Sequence, residues 1–191
     1  GVCPHRGPGA PDAEGVDTKK VYPLFKQTLL SQPSIAGVTS SELGLGEGTG
    51  WSKSGFEYKG KHKDVFEYFV DPDYIEVMGI KLIAGRNFDP TIASDTVTSV
   101  IINEAMLNDF GWTLSNAVGQ QLQGYSENFT PVVIGVVKNF NFRPFSEKIG
   151  PQMFHQFHDY APYKYFVKIR PGNPSAALTA MTGRPILKIG T

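Results

Sequence analysis

A few groups of residues have types and spacings that could do chemistry. The stretch GFEYKGKH, Gly55 to His62, satisfies a phosphate-binding loop up to its lysine, Lys61. In such a loop glycine N–H groups cradle phosphate oxygens and the lysine reaches the terminal phosphate. The next position should carry a Ser or Thr hydroxyl for magnesium and carries His62 instead, while the alternation of Phe56 and Tyr58 reads as a hairpin. His155, His158 and Asp159 could hold a metal, since imidazoles three apart meet on one helix face, but Phe154, Phe157, Tyr160 and Pro162 around them read as a packed loop. Asp73 and Glu76 could share a helix face as an acid/base pair, although carboxylates near a helix start ordinarily serve its dipole.

Neither a Ser/His/Asp order nor a GxSxG elbow can be assembled, and Cys3 sits in a Gly/Pro-rich leader far from any base. Gly44, Gly46, Gly48 and Gly50 follow a strand, yet miss the dinucleotide-binding spacing, and a flexible loop from Gly44 to Gly55 is the expectation. The sequence therefore predicts no catalytic residue, no metal and no cofactor.

Composition narrows the class further. The 191 residues are 40% hydrophobic, enough for a packed core in one domain or two small lobes. Lysine plus arginine and aspartate plus glutamate both number 18, so the formal net charge is +0 and no basic stripe points to nucleic acid. The most apolar run, Val132 to Val137, is far shorter than the roughly 20 residues of a membrane helix. One cysteine excludes an internal disulfide.

The elements that would position these residues follow from local grammar. Residues 1–16, rich in Gly and Pro without an apolar period, read as a disordered leader or a segment added to the natural chain. Thr18 to Ser31 reads as a helix, Ile35 to Thr39 as a strand, and the run from Phe56 to Val70 as a hairpin around Gly60. In DPDYIEVMGIKLIAGRNF, Asp71 can cap a helix that begins at Pro72, and Tyr74, Ile75 and Met78 form its apolar stripe. Gly79 can close that helix in the left-handed conformation, and a strand carrying Ile80 and Leu82 should run to a turn at Gly85, Arg86 and Asn87 before Phe88. Met78, Ile80 and Leu82 are expected to be buried. The strand Val100 to Ile102 leads to Asn103 as a cap, a helix presenting Met106, Leu107 and Phe110, and Gly111 as its stop; Pro131 to Val137 and Tyr163 to Arg170 are further strands, and Ser175 to Met181 a last helix.

These segments occur in an order that resembles a known family. VDPDYIEVMGIKLIAGRNF, VIINEAMLNDFGW, AVGQQL, VVIGVVKNFNFRPFSEKIGPQMF and FVKIRPGNPSAAL together are similar to the periplasmic core domain of MacB-type (MacB/FtsX-like) ABC transporter permeases, with wording that resembles the Bacteroidetes branch. The resemblance implies an α+β fold of two lobes: a porter-like lobe from residues 17–69 and 145–182, and an inserted Sabre-like mixed α/β lobe from residues 70–144. Residues 183–191 would be an unrelated tail. In the family the domain lies outside the cytoplasmic membrane between the first two membrane helices, so the chain is expected to be a soluble fragment of an integral membrane protein. The first strand of the family pattern is expected to be missing or replaced by the Gly/Pro leader, so that the porter-like sheet would be incomplete. The implied partners are the transmembrane helices and nucleotide-binding domain of the parent transporter, a periplasmic adaptor or cargo protein, and a second copy of the chain. The implied role is non-catalytic: transmitting ATP-driven conformational change. A stand-alone periplasmic module that binds a ligand or protein is the alternative, and a hydrolase with dispersed catalytic residues a third reading.

Within that frame Trp51, in the glycine loop, is the candidate partner contact, whereas Trp112 beside a helix stop reads as core. Phe140, Phe142 and Phe145, at the exit of a buried strand, are the candidate lobe hinge or interface, with a purely structural core role as the alternative. Met78, Gly79, Gly85, Arg86 and Phe88 form the structural motif on which the inserted lobe would be built.

Overall fold

The computed structural model describes residues 18–43, 52–141, 148–156 and 164–172. Trp51, Phe142, Phe145, His158, Asp159, the leader, the helix expected from Ser175 and the tail lie outside the described residues. In chain order the elements are α1 (Thr18–Leu30), β1 (Ile35–Ser41), β2 (Ser52–Tyr58), β3 (Lys61–Val70), α2 (Tyr74–Val77), β4 (Leu82–Gly85), β5 (Ser99–Asn103), α3 (Glu104–Asp109), β6 (Val132–Val137), β7 (Gln152–Gln156) and β8 (Lys164–Ile169), with a 3₁₀ turn at Ala93–Thr96 before β5. The fold is α+β.

The strands make one mixed sheet in the order β4-β6-β5-β7-β3-β1-β8, with β2 added on β3. β5 runs parallel to β6 and β3 parallel to β7, while the other pairs are antiparallel. The strands from residues 70–144 thus stand side by side at one end, β4-β6-β5, and those from the flanking segments at the other; the two sets meet where Ile101 pairs with Phe154 and Ile102 with Met153.

Local chemistry explains most of the turns. The β2–β3 hairpin closes through Lys59 and Gly60, at φ 49° and 73°, the left-handed pair that a two-residue turn requires. Both short helices end in the same way. After α2, Gly79 at φ 71° donates to Glu76 O at 3.0 Å and Ile80 to Ile75 O at 2.9 Å; after α3, Gly111 at φ 70° donates to Asn108 O at 3.1 Å and Trp112 to Leu107 O at 2.9 Å. Each is the paired-bond glycine stop, and in each the residue after glycine joins the hydrophobic cluster of the residue it bonds.

Two clusters cover the sheet. On one face Phe56, Tyr58, Val65, Ile102 and Met153 pack with Met106, Leu107 and Phe110 of α3 and with Trp112. On the other Tyr68, Val70, Ile101 and Phe154 pack with Tyr74 and Ile75 of α2, Ile80 and Phe88. Beneath α1 a smaller cluster holds Leu29, Ile35 and Val38.

The structure corrects several expectations. Asp71 does not cap α2: its carboxylate accepts from Tyr22 Oη and from Lys26 Nζ of α1, the latter at 2.8 Å, and α2 starts only at Tyr74 without a side-chain cap. Because α2 is a single turn, Met78 lies beyond its end; Met78 and Leu82 are half-buried, and of the three residues expected inside only Ile80 is buried. Gly55 belongs to β2 rather than to a loop, and residues 152–156 form a strand rather than a packed loop.

Candidate coupling site between the two halves of the sheet

The meeting of β5 with β7 is held by side chains that also cap and latch the neighbouring elements. Asn103 ends β5 in extended conformation, and its Oδ1 accepts the N–H of Met106 at 2.8 Å, which caps α3. The same oxygen accepts the N–H of Gln152 at 3.0 Å, and Asn103 Nδ2 donates to Gly150 O at 2.9 Å. One buried carboxamide therefore satisfies a helix start and the chain entering β7. Gln152, fully buried, in turn donates Nε2 to Phe140 O at 3.2 Å. The exit of β6 is fastened from the other side, where Ala105 N donates to Asn139 Oδ1 at 2.9 Å and Glu104 accepts from Lys138 Nζ at 2.9 Å and from Asn139 N at 3.1 Å. Led by the Lys138 hydrogen bond, these contacts hold the Glu104 carboxyl below its ordinary range.

Phe140 is thus the one candidate interface residue that can be placed. Its carbonyl lies in the latch, and its half-buried ring packs in the same cluster as Phe154 and Ile101, which pair across the two halves. Phe142 and Phe145, like the contact candidate Trp51, fall outside the described residues.

The motif residues surround β4. Gly85 has φ 70°, and a Cβ on it would lie 2.1 Å from Ile134 O; this close approach lets β4 lie against β6. Arg86 makes a fork on Asp95, Nη1 to Oδ2 at 2.5 Å and Nη2 to Oδ1 at 2.8 Å. Asp95 also accepts from Asp89 N at 2.8 Å and Ser99 Oγ at 2.7 Å. Burial alone would raise this carboxyl, but the Arg86 and Ser99 hydrogen bonds outweigh it and hold it below its ordinary value. Phe88 is buried, while Gly79 is exposed and has only Lys168 Nζ near the position of a Cβ, at 4.0 Å.

At the opposite end, α1 is seated by charge. Lys26 Nζ sits 2.8 Å from Asp71 Oδ2 and 2.7 Å from Asp73 Oδ2, and Tyr22 donates to Asp71 while stacking on Tyr165 at 5.3 Å. Burial would lower the Lys26 ammonium; the two carboxylates overcome it and raise its pKa.

The remaining chemical candidates are not brought together. Gly55 to His62 lies in the hairpin, with Lys61 exposed in β3. Asp73 is engaged by Lys26 whereas Glu76 points to solvent. His155 is buried on a strand, and no cluster of three metal-ligating side chains occurs among the described residues. The Asn103–Gln152 bond has no signature in the sequence: Asn103 is legible as a cap, but its second partner is nearly fifty residues away.

Residues 8–182 match the MacB-like periplasmic core domain family. The chain belongs to this family. The MacB-like chain is an extracytoplasmic part of an ABC transporter permease, and no helix among its described residues is long and apolar enough to cross a membrane. Its fold is similar to the periplasmic region of MacB from Actinobacillus actinomycetemcomitans, at TM-score 0.55 and 18% identity over 83% of this chain and 73% of that one. A domain of a putative permease protein from Porphyromonas gingivalis gives TM-score 0.56 at 16% identity, covering 84% and 74%. The extracellular domain of the noncanonic ABC-type transporter YknZ from Gram-positive bacteria gives 0.55 at 17%, covering 81% and 74%. No curated protein sequence matches the MacB-like chain.

Proposed function

We propose that this domain is a non-catalytic relay: it carries ATP-driven movement of its permease across the extracytoplasmic side of the membrane and presents that movement to a periplasmic adaptor or cargo protein. Residues 70–144 act as an inserted lobe on a porter-like lobe, with the Phe140 segment as their interface. Trp51 contributes to the partner surface, and the domain works as a pair in the assembled transporter, beside its membrane helices and nucleotide-binding domain.

The observation that carries this reading is the Asn103–Gln152–Phe140 latch. A relay must move as one piece, and the latch ties the strand exits of one half to the entry strand of the other through buried, directional hydrogen bonds. Large displacement at one edge is then transmitted through a packed interior of low compressibility rather than absorbed in it.

The test uses the full-length permease reconstituted in lipid, with spin labels at exposed Leu24 of α1 and exposed Lys81 before β4. On trapping the ATP-bound state, the Leu24–Lys81 distance within one copy stays constant while the distance between equivalent labels on two copies changes. In Trp51→Ala and Phe140→Ala, ATP hydrolysis continues; Phe140→Ala loses the coordinated movement and Trp51→Ala loses partner binding. A distance between copies that ignores nucleotide would defeat the relay.

A further inference from the structure

One face of the sheet carries a second polar group that the relay does not use. Glu67, in the middle of β3, is 5% exposed, and its Oε1 accepts the Tyr125 hydroxyl at 2.6 Å. Two residues on, and so on the same face, Phe69 pairs with His155 of β7 and the two rings stack at 5.0 Å. Tyr125 stacks on the same imidazole at 6.0 Å. On the other side of Phe69 the chain leaves β1 at Glu42, whose N–H donates to Phe69 O at 2.9 Å. Glu42, Glu67 and His155 therefore surround one aromatic platform.

Among the described residues the charges in this group do not close. Burial pushes both carboxyls above their ordinary values, and the charge of Glu67 pushes Glu42 further. Ser54 and Tyr125 hydroxyls steady Glu67, but no lysine or arginine among the described residues forms an ion pair with either glutamate. His155 is 7% exposed and its Nε2 is buried in the group with no hydrogen-bond partner. A desolvated pair of like charges and an orphaned ring nitrogen each cost stability, and they become favourable together when a cationic donor enters between them.

We propose that Glu42, Glu67 and His155 form a binding site for an ammonium or guanidinium group. The carboxylates supply the countercharge, and the Nε2 of the neutral imidazole accepts an N–H. The Phe69 and Tyr125 rings both stack on that imidazole and fix its orientation. A guanidinium suits this layout, since its donors are spread over a planar fork, as does a diamine whose two ammonium groups lie apart, because the ligands here do not converge on one point as a metal site demands. Glu42 is half-buried and so the least enclosed of the three.

The test is a titration of the 191-residue chain with L-arginine amide and, separately, putrescine, at constant ionic strength and neutral pH, read by melting temperature and by the His155 ring-nitrogen resonances. The expected result is a saturable rise in melting temperature with at least one of them, accompanied by movement of the Nε2 resonance. Glu42→Gln and Glu67→Gln, which keep the side-chain shape and the acceptor for Tyr125, should abolish the response and melt higher than the parent without ligand. A response to arginine amide alone still supports the site and narrows it to guanidinium. No saturable response, an equal response in the double variant, or stabilisation by acid but by neither amine would overturn the proposal, the last making the pair a proton site only.

Discussion

The side-chain oxygen of Asn103 lies 3.0 Å from the backbone nitrogen of Gln152, so the residue that caps α3 also sets the start of the central strand β7. Removing it orphans the Met106 and Gln152 N–H groups and the Gly150 carbonyl together. Asn103→Ala should cost about 3–4 kcal/mol, the sum of a lost cap and at least one buried unsatisfied group. Asn103→Ser should recover the cap but not the strand. Urea denaturation of the three proteins checks this, and a loss in Asn103→Ala no greater than that of an ordinary cap would show that β7 does not depend on it.

Gly85 and Gly79 share almost the same φ, 70° and 71°, but not the same surroundings. At Gly79 a Cβ meets only Lys168 Nζ at 4.0 Å, so Gly79→Ala should cost about 1–2 kcal/mol, the strain of the left-handed conformation alone. At Gly85 it would meet Ile134 O at 2.1 Å and Gly135 Cα at 2.9 Å. Gly85→Ala must therefore push β4 off β6 and should destabilise by clearly more. Equal losses in thermal unfolding would show that the close approach contributes nothing.

What was readable beforehand follows the reach of each interaction. Asn103 as a cap, Gly79 and Gly111 as stops and the turn at Gly60 rest on bonds within a few residues, and their side-chain types announce them. β7 escaped because all five of its residues are buried: a strand covered on both faces has no alternation, and the aromatic and proline residues around His155 read as a packed loop. Asp71 misled for the converse reason. Its local context is that of a cap, but Tyr22 and Lys26 of α1 reach it across the fold, and a helix of one turn offers too little in return. The carboxylates around Phe69 were invisible because each sits on a different element.

Asp95 makes four hydrogen bonds with no exposed side-chain surface, while its partner Arg86 remains 43% exposed. The pair should respond asymmetrically. Asp95→Ala, which strands the Asp89 N–H and the Ser99 hydroxyl, should cost about 3 kcal/mol, whereas Arg86→Lys loses the fork but keeps a charge in water and should cost about 1 kcal/mol. Because the folded carboxyl lies below its ordinary value, the contribution is present above the ordinary aspartate range and disappears as pH falls through the lowered value. A pH series of urea midpoints for Asp95→Asn against the parent reads this directly; parallel curves would remove the ion pair from the account.

His155 provides the sharpest pH test because its surroundings penalise the charged ring. Burial lowers its pKa from 6.5 to about 4, so the folded protein holds the imidazole neutral where the unfolded chain takes up a proton. Above pH 6.5 the ring is neutral in both states and its titration adds nothing to the pH dependence. As pH falls from 6.5 towards 4 the unfolded state gains protons that the folded state refuses, and stability drops by about 3 kcal/mol, each pH unit between the two values contributing roughly 1.36 kcal/mol. Glu42 and Glu67 act in the opposite sense, since their raised values favour the folded state as acid is added, and the net curve of the parent protein mixes the two. His155→Phe separates them. Phenylalanine keeps the stack between Phe69 and Tyr125 and discards the orphaned nitrogen, so at neutral pH the variant should match or exceed the parent in stability. The difference in unfolding free energy between the two proteins should stay level above pH 6.5 and widen in the variant's favour by about 3 kcal/mol towards pH 4. A difference that does not change with pH would mean that the ring takes up its proton in the folded state, and that the face of the sheet around Phe69 is open to water.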